Sequence, residues 1–208
     1  MFIMQLEINI PEEESKLSAK NQFAYSQTQE EEEFRREFYQ DFGKIQTLNC
    51  LFYLLCDRLE RANIVKFQIE GFGKEPWPVD VGTDFDTVIE QCCDFLEFLE
   101  TPNSNTGEIY LYEQGVERKL IFTKLGELVK VKCKPVKFKY CGVTKTVGES
   151  QSWGQDEEEQ LIKLSRLKTM ICQLVKTFIF LAKKLDPELA NHEYFQEWCC
   201  NKYIANCL

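Results

Sequence analysis

This chain of 208 residues contains no recognisable arrangement of side chains for acid–base or nucleophilic catalysis. Its one histidine, His192, would have to serve any pair of a nucleophile and a histidine base. His192 lies in a polar Asn-His-Glu stretch where no neighbouring residue would orient its ring. Paired carboxylates are another route to hydrolysis, but 34 Asp and Glu offer many pairs and their spacing favours none. We therefore predict a protein without enzymatic activity, and an unrecognised enzyme is the less favoured alternative.

Residues that bind metals or phosphates in other proteins are present without the spacing that such sites need. Asp80, Asp84 and Asp86 carry oxygen ligands, but the glycine and the terminal glutamate of an EF-hand loop are missing. Residues 71–74 (GFGK) match neither of the glycine-rich phosphate motifs. The ten cysteines include no CxxC motif of a zinc ribbon or redox site. The sequence therefore predicts no metal and no cofactor, and it assigns the three aspartates to turn and cap positions.

The cysteines are better explained as small apolar residues. Cys56, Cys92, Cys133 and Cys172 fall at positions that follow the apolar periodicity. The first residues are acidic and lack the basic and apolar regions of a secretory signal. We therefore expect a reducing, cytoplasmic location in which most of the cysteines stay unpaired.

Charge restricts the class of partner. The net charge of −9 argues against general binding of nucleic acids or anionic membranes. No apolar run is long enough to span a membrane. Residues 116–145 contain nine Lys or Arg against two Glu, so this stretch carries +7 and the remainder −16. The acidic part would attract a basic protein, while the basic stretch would be solvated or meet an acidic patch.

Residues 64–141 must position these charges, and their pattern is typical of an α+β domain. In residues 128–134, valine and cysteine alternate with lysine, so one face of a strand is expected to be buried and the other solvated. In residues 84–100, apolar side chains recur every three or four positions, with Thr83 or Asp84 as the helix cap. We predict that this helix packs on the buried face of an antiparallel sheet. The predicted strands are 64–70, 108–112, 118–123, 128–134 and 137–141.

Long helices are predicted on both sides of this core. Residues 30–61 and 156–185 carry apolar side chains at alternating spacings of three and four, which is typical of helices that pair. We expect them to pack together within the chain, and a homodimer through residues 156–185 is the alternative. The rest of a single α+β domain, residues 1–208, is predicted as a strand at 1–10 that joins the central sheet, a polar loop at 11–29 and a shorter helix at 188–203.

Acidic clusters and one tryptophan are the candidate contacts with a partner. The glutamates at 30–33 and 157–159 are placed at helix starts, where negative charge is favoured. Trp153 lies in an aperiodic connector, residues 142–154, and an exposed tryptophan is a common interface anchor. The alternative to partner binding is that each acidic cluster is simply a solvated surface. The candidate contact residues are Glu30, Glu31, Glu32, Glu33, Asp80, Asp84, Asp86, Trp153, Glu157, Glu158 and Glu159.

Four segments resemble a known class of protein. They are residues 77–85 (WPVDVGTDF), 90–91 (EQ), 95–99 (FLEFL) and 112–118 (YEQGVER), followed by the strand with alternating lysines. Together they resemble the small cytoplasmic immunity proteins of bacterial polymorphic-toxin and contact-dependent inhibition systems. The resemblance covers roughly residues 64–141, and it assigns no role to single residues because toxin contacts vary within the class. It implies an acidic, non-enzymatic protein that binds a cognate toxin domain and blocks its active site or its access to substrate.

On this basis we predict a protein that neutralises a basic toxin, often a nuclease. The acidic groups would steer the chain to a cationic cleft, and aromatic anchors would then be desolvated. The alternative is an adaptor or scaffold that oligomerises through the helix at 156–185. In both cases the partner is a protein, and both a monomer and a homodimer stay open.

Overall fold

The computed structural model describes residues 1–8, 44–73, 76–111, 117–140, 143–146 and 159–208. Within these ranges the chain is α+β with antiparallel sheets, which confirms the predicted fold class. The strands are β1 (Ile3–Ile8), β2 (Val65–Glu70), β3 (Thr106–Leu111), β4 (Arg118–Leu125), β5 (Leu128–Pro135), β6 (Lys137–Tyr140), β7 (Val143–Thr146) and β8 (Glu159–Lys163). The helices are α1 (Lys44–Ala62), α2 (Asp86–Glu100), α3 (Leu164–Leu185), α4 (Pro187–Ala190), α5 (Glu193–Cys199) and α6 (Lys202–Ala205).

The main sheet has four antiparallel strands in the order β3-β4-β5-β8. In β5, the side chains of Val129, Val131 and Cys133 are buried, whereas the lysines between them lie on the opposite face. This confirms the predicted burial pattern of the strand. The outward side chains of the neighbouring strands extend the lysine-bearing surface, which we call the lysine face. It carries Lys119, Lys130, Lys132, Lys134 and Lys163, together with Glu108 and Glu159.

Helix α2 covers the inner face of the main sheet. The Phe95 ring packs edge-on against Phe122 of β4, with 4.5 Å between the ring centroids. A side chain at Gly107 of β3 would collide with Phe98, because an added Cβ would lie 2.5 Å from that ring. Burial of such side chains contributes roughly 1.5–3 kcal/mol each. The predicted apolar stripe is buried throughout, and it consists of Phe85, Val88, Ile89, Cys92, Phe95, Leu96 and Leu99.

One polar side chain joins α2 to the edge of the sheet. The Gln91 amide donates to the backbone carbonyl of Tyr110 and accepts from its N–H, each at 2.9 Å. Tyr110 belongs to β3, the outermost strand on this side of the main sheet. Gln91 therefore satisfies backbone groups that would otherwise lack a strand partner.

A second sheet, of two strands, lies beside the main one. In it β1 and β2 pair antiparallel along their full lengths. The predicted N-terminal strand is therefore confirmed, but its predicted place in the central sheet is wrong because its partner is β2. The buried Trp77 follows this sheet, and its backbone N–H donates to the Ile69 carbonyl and its indole N–H to the Gly71 carbonyl, both at 2.9 Å.

Helix α3 begins later than predicted. Residues 159–163, expected as part of this helix, form β8 instead because β5 offers them backbone partners. From Leu164 onward the predicted apolar stripe is helical, and the Phe178 ring lies 6.0 Å from that of Phe52 in α1. Helix α3 also contacts α2 and β1. The buried members of its stripe are Leu167, Ile171, Leu174, Phe178, Leu181 and Leu185, so the face proposed for a homodimer is occupied within the chain.

The C-terminal residues form three short helices, so the single helix predicted at 188–203 is wrong. The side chains of Asp186, His192 and Asn201 cap α4, α5 and α6, respectively. Each cap takes a non-helical backbone conformation and interrupts the helix. Asp186 also forms a buried ion pair with Arg58, which attaches this corner to α1.

Two kinds of cysteine occur. Cys56, Cys92 and Cys133 are buried and belong to no disulfide among the described residues, as predicted for small apolar residues. The same prediction for Cys172 is wrong, because this residue forms a disulfide with Cys207. The bond joins α3 to the residues that follow α6. The cytoplasmic location stays a prediction.

The remaining predictions concern the connector and the N-terminal part. Strands β6 and β7 pair antiparallel, so residues 143–146 are a strand and not part of an aperiodic connector. The polar loop at 11–29 and the helical residues 30–43 lie outside the described residues. Within the described ranges, every helix is too short or too polar to span a membrane.

Candidate functional site on the acidic helix

Two of the predicted acidic contacts shape the start of α2. Residues Val81–Phe85 form a π-helical turn that leads into the helix. The Asp80 carboxylate accepts hydrogen bonds from the backbone N–H of Thr83 at 2.8 Å and of Asp84 at 3.2 Å. Asp80 is therefore the cap, and the predicted caps, Thr83 or Asp84, are wrong.

Asp84 has a structural role. Its side chain is 2% exposed, and its Oδ2 accepts from the Asp80 N–H at 3.1 Å. Asp80 and Asp84 thus bond each other's backbone, in the reciprocal manner of a capping box. This burial argues against Asp84 as a contact residue, and its role in partner binding stays a prediction.

Helix α2 contains five acidic residues and no basic one. With about 3.6 residues per turn, Asp86, Glu90, Asp94 and Glu97 fall on one side, away from the apolar stripe. We call these four residues the acidic face. Asp94 and Glu97 are exposed, whereas Asp86 and Glu90 are half-buried. The helix therefore presents negative charge alone, and like charges four residues apart repel each other.

The N-terminal half of the acidic face is poorly solvated. Burial, and secondly the charge of Glu90, raises the pKa of Asp86 to about 8. Burial also raises the pKa of Glu90. The Asp86 Oδ1 is shielded from solvent and has no hydrogen-bond partner in the part of the chain that the structure describes. No described Lys or Arg pairs with either carboxylate.

Helix α1 forms the neighbouring wall of the site. Burial, followed by the charges of Asp86 and Glu90, raises the pKa of the Cys50 thiol in this helix. The Glu60 carboxylate occupies the space that a side chain at Gly82 would need, since an added Cβ would overlap it. The wall thus brings a thiol and a further acid towards the start of α2.

Residues of α3 and α6 contact two acids in the C-terminal half of α2. The Tyr203 hydroxyl donates to Glu97 at 2.8 Å. The Lys168 ammonium donates to Glu100 at 2.7 Å, and this hydrogen bond lowers the pKa of Glu100. The well-solvated negative charge of α2 therefore lies at Asp94 and Glu97, whereas burial opposes the ionisation of Asp86 and Glu90 and raises the pKa of both.

The predicted contact residues do not form one cluster in the described structure. Glu159 lies in β8 on the lysine face, where it pairs with Lys130 at 3.5 Å and with Lys132. Its predicted place at a helix start is therefore wrong. Asp80 and Asp86 stay together at the start of α2. Outside the described residues lie Glu30, Glu31, Glu32, Glu33, Trp153, Glu157 and Glu158.

Glu90 and Asp94 are not among the contact residues predicted from the sequence. The signal for both is their spacing of four and eight residues from Asp86, which places them on one side of a helix. The half-burial of Asp86 and Glu90 has no comparable signal, because it depends on the packing of α1 against α2.

The described residues that could serve in catalysis or metal binding have structural roles or lack the necessary arrangement. The His192 Nδ1 accepts from the Tyr194 N–H at 3.3 Å as the cap of α5, and its ring lies 5.3 Å from the Tyr194 ring. Among the described residues, no group of three or more His, Cys, Asp or Glu is arranged to hold a metal ion. The acidic face is therefore the candidate functional site among the described residues.

Comparison with family models gives no match, and comparisons with curated proteins and with solved structures give none either. The resemblance to immunity proteins rests on the segments quoted above alone. Function is accordingly inferred from the geometry and charge of this chain.

Proposed function

We propose that this chain is a non-enzymatic protein that binds a basic protein partner through the acidic face. The supporting observation is the pair Asp86 and Glu90, whose pKa values are raised by burial and which no described Lys or Arg neutralises. A lysine or arginine from a partner would stabilise the ionised carboxylates. Binding would thus form charge-assisted hydrogen bonds that the free chain lacks.

The partner that we propose is a toxin domain with a cationic active-site cleft. The segments that resemble immunity proteins include the turn that leads into α2 and residues 90–91 and 95–99 of the helix, which supports this choice. A cleft that binds a polyanionic substrate such as nucleic acid is lined by lysine and arginine. The net charge of −9 would steer the encounter, and α2 in the cleft would exclude the substrate. Inhibition would involve no covalent step.

Affinity capture from cells that encode the chain tests this proposal. The baits are the wild type, a variant of the acidic helix and a control with the same charge change elsewhere. We expect one basic protein to be retained by the wild type and the control and lost from the helix variant, because only the latter removes the proposed contacts. The helix variant is Glu90→Gln, Asp94→Asn and Glu97→Gln, and the control is Glu188→Gln, Glu193→Gln and Glu197→Gln, three exposed acids of α4 and α5.

Proton linkage then tests whether Asp86 takes part. Binding should favour the ionised carboxylate, so calorimetry should show proton release and an affinity that rises with pH through the pKa of Asp86, about 8. The Asp86→Asn variant should lose this pH dependence. The captured protein should also lose its toxic activity in the complex. Retention of the same partner by the helix variant, or a partner without a basic surface, would overturn the proposal.

A further inference from the structure

The outer surface of the main sheet ends in an exposed apolar patch. Leu125, Leu128 and Leu161 are 51%, 39% and 62% exposed, respectively. Leu125 lies directly opposite Leu128 in the β4–β5 pair, and Leu161 lies diagonally across from Leu128 in the β5–β8 pair. Direct and diagonal neighbours on one face are close enough for long side chains to touch. We call these three residues the leucine corner.

A groove extends the leucine corner. Its volume is about 450 Å³, and it is lined by Leu128 and Leu161 together with Phe2, Ile162 and the exposed Met1. Binding sites for drug-sized groups have volumes of roughly 300–1,000 Å³. An exposed apolar patch that continues into a groove of this size is typical of a contact site.

Basic side chains surround the leucine corner. Lys130 and Lys163 lie opposite leucines of the corner in the β5–β8 pair, and Arg166 lines the groove. Lys163 and Arg166 are exposed, and neither pairs with an acid of the described residues. The surface is therefore apolar at its centre and positive at its rim.

Glu159 competes for part of this rim. Its carboxylate pairs with Lys130 at 3.5 Å and with Lys132, and its side chain is 42% exposed. Ion pairs this exposed to water contribute little stability. The carboxylates of a ligand can therefore replace Glu159 beside these lysines.

We propose that the leucine corner binds an acidic protein segment whose aliphatic side chains lie beside its carboxylates. The aliphatic side chains would fill the groove, and the carboxylates would pair with Lys130, Lys163 and Arg166. Charge complementarity identifies this occupant. An anionic bilayer would meet the field of the whole chain, which carries −9, whereas a short segment meets the local field within a Debye length of about 8 Å.

This inference is independent of the proposed function. The leucine corner lies on the outer side of the main sheet, and α2 with the acidic face covers the inner side. Loss of binding at one surface would leave the other surface intact. The chain would thus have two binding surfaces for partners of opposite charge.

A labelled peptide in a fluorescence anisotropy titration tests the proposal. The probe is a blocked peptide of repeated Leu-Leu-Glu-Glu units, because each side of such a strand displays both residue types. We expect Leu161→Ser and Lys163→Glu each to weaken binding roughly tenfold. Glu159→Gln should strengthen binding, since it frees Lys130 and Lys132 from their internal acid.

Helix α3 supplies matched controls at a distance from the corner. Phe180 is 52% exposed there, with the Lys184 ammonium 5.9 Å from its ring centroid. Phe180→Ser and Lys184→Glu make the same kinds of change and should leave peptide binding as in the wild type. Thermal unfolding checks the fold of each variant, and Lys163→Glu and Glu159→Gln decide the outcome where Leu161→Ser does not fold.

Four results would overturn the proposal. The first is equal binding by the corner variants and the control variants. The second is equally tight binding of an all-glutamate peptide with the same charge, which would leave the leucines without a role. The third is binding of anionic phosphatidylserine vesicles that the corner variants abolish. The fourth is self-association in sedimentation that Leu161→Ser abolishes, which would make a second copy the occupant.

Discussion

The acidic face of α2 and the lysine face of the main sheet each carry mainly one sign of charge, but they differ in solvation and pairing. On α2, burial and a like charge raise the pKa of Asp86 to about 8. On the sheet, Lys130 and Lys132 share the carboxylate of Glu159 and keep contact with water. Charge is therefore costly on the helix and well tolerated on the sheet, although both surfaces are rich in charged residues.

The difference follows from how each element brings residues together. A helix stacks residues four positions apart, and on α2 these are Asp86, Glu90 and Asp94. A sheet places residues of different strands side by side, so the lysines of β5 meet a glutamate of β8. The charge of a surface formed by one segment depends on the residues of that segment alone. A surface formed by several strands combines the charged residues of different segments.

Replacement of the half-buried acid should have the largest effect. The pKa of Asp86 is about 8 in the folded chain against an ordinary value of 3.8, so the folded chain binds the proton more tightly. The free energy of unfolding should therefore fall as pH rises between these values, by at most about 1.4 kcal/mol per pH unit. The Asp86→Asn variant has no carboxyl at this position, so its free energy of unfolding should not fall in this way as pH rises. Urea denaturation above pH 8 should find the variant more stable than the wild type, with a flatter pH profile.

Two variants of the same helix control that experiment. Asp94 is exposed, so Asp94→Asn should retain the pH profile of the wild type. Glu90→Gln should have an intermediate effect, because the charge of Glu90 is the second cause of the raised pKa of Asp86. A wild-type pH profile for Asp86→Asn would contradict the costly burial of charge on α2.

Loss of the Gln91 bridge between α2 and the main sheet should have a moderate effect on the free energy of unfolding. Gln91→Met preserves much of the side-chain volume but breaks both hydrogen bonds to the Tyr110 backbone. Loss of partners for buried backbone groups costs roughly 1–3 kcal/mol, measured as the free energy of unfolding in urea. Gln68→Met is the control, because the Gln68 side chain accepts from the Gln5 amide at 3.2 Å and bonds no backbone group of the described residues. Equal stability of the two variants would show that α2 does not support the edge of the sheet.

Neutralisation on the lysine face should have the smallest effect. Glu159 is exposed, and water can solvate Lys130 and Lys132 when its carboxylate is removed. The urea midpoint of Glu159→Gln should therefore match that of the wild type at low and at high salt. A decrease as large as that of Gln91→Met would show that the lysine face depends on its ion pairs, and the contrast with α2 would fail.

Local periodicity explains the parts of the fold that could be predicted from the sequence. The apolar stripe of α2 and the alternation in β5 each define a buried face within one short segment. Both patterns are confirmed because the same side chains that set the periodicity also fill the core between α2 and the main sheet. The acidic face follows the same periodicity, so it can be predicted from the spacing of the acids in the sequence.

Contacts between distant segments explain the parts that could not be predicted. The glutamates at 157–159 favour a helix start at that point, yet residues 159–163 form β8 because β5 supplies hydrogen-bond partners. The burial of Asp84 depends on its reciprocal bond with Asp80, and the surroundings of Asp86 depend on α1. The bond between Cys172 and Cys207 likewise joins segments whose spacing in the sequence carries no signal.

The Gln91 bridge should hinder the addition of a foreign strand to the β3 edge at Tyr110. A strand edge with free backbone groups is a template to which the strand of another molecule can add, and repeated addition builds a fibril. At Tyr110 these groups are already taken by Gln91, whose amide is also held by the Thr87 carbonyl at 2.7 Å. An incoming strand would have to displace a side chain that is anchored in a packed helix. The side chain of Gln91 should therefore oppose the strand addition from which a fibril would grow at Tyr110.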